Sequence, residues 1–164
     1  MRFLLAFMLI ATAHLSSAEI QNDSNEKGSL QKIIDDPRIQ QVRLETTGCM
    51  GTCPIFSITI SADGAVEYTG SAYVEFIGSR TGNISKWEVE HLFDFINDTQ
   101  FFSFRDKYTQ NITDQESRYT TVKMFSGKTK TVENYANTAP VRLWALEELI
   151  LGFEKKTKWV KLKI

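Results

Sequence analysis

Phe56-Ser57-Ile58-Thr59-Ile60-Ser61-Ala62-Asp63-Gly64-Ala65-Val66-Glu67-Tyr68 is the stretch whose reading decides the fold class. Phe56, Ile58 and Ile60 alternate with Ser57, Thr59 and Ser61, the period of a strand that buries one face and wets the other. Asp63-Gly64 supplies the positive backbone angles of a two-residue turn, after which Val66 and Tyr68 resume the alternation. Working outward, Val42 and Leu44 predict a strand before this hairpin. Residues 73–77 predict a fourth strand after it, closed by Gly78 and Gly82.

The remaining elements follow from helical spacing and capping. Ser85-Lys86-Trp87-Glu88 is a capping box, and Val89, Leu92, Phe93 and Ile96 fall on one helical face. Phe101, Phe102 and Phe104 follow as core candidates, and residues 108–116 read as a polar loop. Residues 118–125 and 128–135 form a second hairpin around Ser126-Gly127. Pro140 suits a helix start, Leu146, Leu149, Ile150 and Phe153 form a second stripe, and Lys155, Lys156 and Lys158 suit a helix C-terminus. The expected domain is therefore α+β, in the order β-β-β-β-α-β-β-α. It has a mainly antiparallel sheet of about six strands with two helices on one face.

Length and charge narrow the function classes. The chain has 164 residues with 19 Lys+Arg against 20 Asp+Glu and a pI near 6.1. No basic excess draws a phosphate backbone, so no nucleic acid partner is expected. Residues 1–18 read as a secretory signal peptide: Arg2, the apolar run 3–13, then Ser16-Ser17-Ala18 at the positions a peptidase reads. An anchor would need about 20 apolar residues, and this run breaks at His14. Removal of 18 of the 164 residues leaves 146, and the loss of Arg2 takes the net charge from −1 to −2. Residues 19–39 read as a polar flexible leader, and residues 40–164 as one domain with a basic tail. No transmembrane segment is expected after signal removal.

The motif that stands out is Gly48-Cys49-Met50-Gly51-Thr52-Cys53-Pro54, which holds both cysteines of the mature chain between two strands. It resembles the exported, mostly bacterial domains grouped as domain of unknown function 6438, marked by a Gly-x-Cys-x-Gly-x-Cys-Pro-like stretch followed by an aromatic and an alternating strand. Phe56, Asp63-Gly64, Thr81-Gly82, Phe101-Phe102, Tyr108, Thr113-Asp114 and Pro140 continue the resemblance in order over roughly residues 40–160. Where such domains tend to carry a proline soon after that aspartate, this chain has Gln115 and Glu116, which leaves the loop conformation open. The resemblance implies the fold and export, and supplies no catalytic residue.

On physical grounds the two thiols of Cys49 and Cys53 form a local disulfide in an oxidising compartment, worth about 2 kcal/mol for so short a loop. The alternatives are a thiol-redox pair, a metal site or free thiols. Redox cysteines want an electropositive surround, and zinc wants more than two Cys and one His. His91, the only mature histidine, reads as a flanking surface residue of the first helix. Asp106, Asp114 and Glu116 form an acidic group in the polar loop, where Asp114 reads as a turn residue. The lysines of residues 155–164 read as a solvated helix end and edge strand. Asn22, Asn83, Asn97 and Asn111 begin glycosylation sequons that matter only in a eukaryotic secretory host.

The expectation is an exported, non-catalytic, monomeric binding module without cofactor or metal. Its partner would be an unknown protein or cell-envelope component, met through a sheet edge or an open sheet face of Ser57, Thr59, Glu67, Thr69, Tyr73 and Glu75. Gly48, Gly51, Pro54, Asp63, Gly64, Gly82 and Asp114 are its structural motif residues. The rival is a thiol-redox or metal-dependent protein using Cys49 and Cys53, and a third class is a small hydrolase on the acidic loop.

Overall fold

The computed structural model describes residues 36–160. The expected signal peptide, most of the expected leader and the last four residues lie outside the described residues. Alternation places strands β1 (Ile39–Thr46), β2 (Ile55–Ser61) and β3 (Ala65–Ala72), joined by β4 (Gly78–Asn83), as an antiparallel run. Helix α1 (Lys86–Asp98) and a short 3₁₀ turn (Phe101–Ser103) lead to β5 (Lys107–Tyr108), β6 (Ser117–Met124) and β7 (Thr129–Tyr135). Helix α2 (Val141–Lys156) and β8 (Lys158–Trp159) complete the order. The sheet order is β5-β7-β6-β1-β2-β3-β4-β8, antiparallel except for the β5-β7 pair.

Eight strands replace the expected six, because β5 and β8 are two residues each, too short for any alternation to register. Residues 73–77 do not form a strand. β3 runs on to Ala72, Tyr73 turns with φ 54°, and the fourth strand begins at Gly78 with φ 105°. Val74 and Phe76 thus serve a connection that folds back over Gly70, where any Cβ would overlap the Phe76 carbonyl oxygen. The glycines expected to close a strand are instead inside one. The first hairpin also differs: Ala62, Asp63 and Gly64 form a three-residue connection in which only Gly64, φ 88°, is left-handed. The Asp63 side chain accepts from the Ala65 amide at 3.0 Å, which holds the turn without a second positive angle.

One face of the sheet is packed by both helices. Register aligns Val122, Val42, Ile60 and Val66 in one row, and Thr120, Leu44, Ile58, Tyr68 and Arg80 in the next. Their apolar members are buried with Leu92 and Ile96 of α1 and Leu143, Leu146, Ile150 and Phe153 of α2. Each such side chain contributes about 1.5–3 kcal/mol on burial. The Ser85–Glu88 capping box forms as expected, and Pro140 is the residue that caps α2 rather than one inside its first turn. Phe101 and Phe104 are core, while Phe102 is half-buried.

Gly82 is a tight point where the chain leaving α2 meets the sheet. A Cβ there would lie 2.5 Å from Thr157 Cγ2 and 2.7 Å from the Lys158 carbonyl oxygen, where the chain leaves α2 and pairs as β8. Gly82→Ala is expected to lower stability by about 1–3 kcal/mol through overpacking. Gly152→Ala in α2, with nothing within 4 Å of the new methyl, is expected to raise it by about 0.5–1 kcal/mol. Urea unfolding of the two variants measures the contrast.

Candidate functional site

The cysteine loop joins β1 to β2 at one end of the sheet. Cys49 and Cys53 are disulfide-bonded with their Cα atoms 5.7 Å apart. Thr46 Oγ1 donates to the Pro54 carbonyl at 2.6 Å and accepts from the Phe56 amide at 3.1 Å, so the loop closes on a buried threonine. The Met50 amide donates to the Asp114 carbonyl at 3.2 Å, which ties this loop to the polar loop beyond β5. Asp114 sits at φ 67° and accepts from Thr113 Oγ1, a turn role. Gly48 and Gly51 are exposed in the same loop, and Pro54 lies on the wall of a neighbouring cleft.

The other acidic residues of the polar loop do not converge. Asp106 pairs with Lys130 at 2.6 Å, and Glu116 with Arg118 at 3.1 Å. Among the described residues no group of three His, Cys, Asp or Glu is placed to hold a metal, and no cysteine is free. His91 is exposed on α1 with its ring against Trp87.

The cleft beside Pro54, about 470 Å³, lies between α2 and the end of β2 and β3. Its inner wall is Phe56 and Tyr68, stacked at 5.7 Å between centroids. Tyr73, Val74 and Glu75 of the β3–β4 connection form one rim, and Glu148, Leu151, Gly152, Glu154 and Lys155 of α2 form the other. Tyr73 and Glu75, expected on the open sheet face, therefore belong to this cleft; Ser57, Thr59, Glu67 and Thr69 remain on the face away from the helices. Tyr68 is 2% exposed and its hydroxyl has no hydrogen-bond partner among the described residues. Burial pushes that hydroxyl's pKa up, and the nearby charge of Glu154 adds to the effect, so it stays protonated and able both to donate and to accept.

Arg80 stands next to Tyr68 in register. Its guanidinium lies 4.0 Å from the Trp159 ring centroid and 4.8 Å from those of Tyr68 and Phe76. One end pairs with Glu154 Oε1 at 2.8 Å, while Nε is buried without a partner among the described residues. Trp159 Nε1 donates to the Glu154 carbonyl at 3.1 Å, locking the cage to α2. A second arginine holds the other end of the rim: Arg118 pairs with Glu148 at 2.7 Å. Burial works against charge on Arg118, and its bonds to Glu148 and Glu116 outweigh that, leaving its pKa raised.

Glu147 lies under α2, fully buried beside Arg118. It accepts from Asn134 Nδ2 at 2.8 Å and from Thr120 Oγ1 at 3.4 Å, and Arg118 Nη1 is 3.7 Å away. Burial pushes its carboxyl up to about 7, against the pull of Asn134 and Arg118. Sequence reasoning missed Glu147, although a signal existed: it falls on the α2 stripe, four residues after Leu143 and three before Ile150. Arg80, Glu154 and Trp159 carried no comparable signal, since a strand flanked by glycines shows no apolar alternation.

The arrangement brings these groups together at one cleft. It offers aromatic walls, paired carboxylates and one buried hydroxyl, and both cysteines are committed to each other. A family model described as "Domain of unknown function (DUF6438)" matches residues 40–154. A search of curated proteins finds no match for this chain.

The buried carboxylate yields a pH prediction. Glu147 binds its proton more tightly folded than unfolded, so between pH 4.5 and about 7 the folded state holds more protons and stability falls as pH rises. Glu147→Gln keeps acceptor and donor capacity toward Asn134 and Thr120. It is expected to flatten that decline and to be the more stable form at pH 8, read from urea midpoints at pH 5 and pH 8.

Proposed function

The chain belongs to the DUF6438 family, and from the geometry of its cleft we propose that it is an exported, non-catalytic, monomeric binding module of the cell envelope or its surroundings. The ligand seat is the cleft between α2 and the β3–β4 connection. The observation that carries this is Tyr68: a fully desolvated hydroxyl left without a partner on the wall of an open cleft. Such a group lowers stability by about 1–3 kcal/mol, and retention of it makes sense where a ligand supplies the missing bond. Arg80 Nε is a second unsatisfied donor in the same cage. The disulfide supports an oxidising compartment, where such bonds persist. Pinning Pro54 at the rim is its local role.

Two experiments test the reading. Tyr68→Phe is expected to unfold at higher urea by about 1 kcal/mol or more, with loss of ligand shifts at the cleft when a fragment library is screened by amide NMR. A destabilised Tyr68→Phe, or fragment shifts that avoid residues 73–75 and 151–155, would overturn it. For export, protein recovered from the cell envelope should show a mass beginning at Glu19, with no thiol alkylated before strong reduction. Cys49→Ser is expected to lose about 2 kcal/mol of stability and leave cleft binding in place. Readily alkylated thiols or bound metal would move the function to Cys49 and Cys53.

A further inference from the structure

We propose that the cleft takes an uncharged carbohydrate, one or two rings of a glycan chain, an assignment that rests on the binding-module reading above. The carboxylates around the seat are mostly partnered already: Glu154 pairs with Arg80, and Glu148 with Arg118, which also holds Glu116. Glu75 and Lys155 line the same cleft. Carboxylates outnumber cations here, so the seat disfavours an anion, while a polyol finds acceptors and a donor side by side. The carboxylates of Glu75, Glu148 and Glu154 accept from sugar hydroxyls, bonds strengthened by the ionised acceptor. Lys155 and the Tyr68 hydroxyl donate to sugar oxygens, and Tyr68 can also accept.

Tyr73 is the second, independent feature. It lines the cleft, is 60% exposed, and holds φ 54°, a left-handed conformation that is an outlier for a bulky aromatic residue. Such strain persists where the surroundings impose it, and it clusters at ligand sites. A glycine would hold this turn with less strain, yet the position carries a tyrosine whose ring lines the cleft. The exposed ring of Tyr73 is the aromatic face available to pack against the C–H face of a pyranose, while Phe56 and Tyr68, stacked on each other, back the inner wall. Gly152, with open space at its Cα, leaves room above α2 for the second ring. The cleft volume of about 470 Å³ lies within the range of small-molecule sites.

The test titrates the signal-processed protein, ¹⁵N-labelled, with cellobiose and N,N′-diacetylchitobiose at millimolar concentrations, and in parallel with tri-lysine and glutarate. The expected result is amide shifts at Tyr73, Glu75, Leu151 and Gly152 with a neutral disaccharide only. Tyr73→Ala is expected to weaken binding at least tenfold, Tyr73→Phe to preserve it, and Glu75→Gln to weaken it severalfold, each variant unfolding at an unchanged or higher urea midpoint. If tri-lysine or glutarate shifts the cleft and neither sugar does, the seat is a binding site of another chemistry and the carbohydrate assignment fails alone. If Tyr73→Ala binds the disaccharide as well as the parent, the assignment also fails. If neither the probes nor the fragments shift the cleft, both readings fail.

Discussion

A guanidinium held between three aromatic rings ties helix α2 to the far half of the sheet. Arg80 projects inward from β4, where a charge is tolerable only because Glu154 pairs with it and the faces of Tyr68, Phe76 and Trp159 surround it. The bond from Trp159 Nε1 to the Glu154 carbonyl then sets where the chain leaves the helix, and the β8 pairing with Gly82 and Asn83 follows. Gly82 permits that approach because any side chain there would meet Thr157 and Lys158. The β3–β4 connection, carrying Phe76 into the cage and Tyr73 to the rim, takes its position from the same contact.

The middle of α2 is held by a matching device. Arg118 from β6 pairs with Glu148, while Glu147 one residue earlier turns under the helix to Asn134 and Thr120. Two arginines from opposite halves of the sheet thus anchor two carboxylates six positions apart on α2, and the cleft lies between them. Leu151 and Gly152 occupy the turn in between, one apolar and one without a side chain. The candidate site is what remains when a helix is fastened at two polar points across a twisted sheet. Its carboxylates are fixed in place by their partners, which is the preorganisation that a shallow site needs.

Placement of the polar groups follows from sheet register. Across β6, β1, β2 and β3 the row Val122-Val42-Ile60-Val66 is apolar, the next row mixes Thr120 and Arg80 with Leu44, Ile58 and Tyr68, and Arg118 faces Asn134 and Thr46 beyond it. The core therefore grades from dry to polar toward the end that carries the cysteine loop. The disulfide lies at that polar end, where fewer buried apolar contacts hold the chain and a covalent link has most to add.

Local rules made much of this fold legible in the amino-acid order. Alternation at Val42 and Leu44 and from Phe56 to Tyr68 marked the central strands, the Ser85–Glu88 box marked α1, and the 146–153 stripe marked α2. The local pairing of Cys49 with Cys53 was likewise readable, since four residues of separation and a glycine suffice to bring the thiols together. Each of these depends on neighbours within a few residues, so periodicity and short motifs report them. Tertiary structure alone decided the rest. β4 is rich in glycine and shows no pattern; its place comes from pairing with β3 and from what must fit against Gly82. Residues 73–77 have strand-like composition, yet they turn away because Gly70 gives the Phe76 carbonyl somewhere to go. The cleft joins Phe56, Tyr68, Tyr73, Glu148 and Glu154 across nearly a hundred residues, and no local rule carries a contact over that distance. The arginine contacts that fix it exist only once helix and sheet exclude water together.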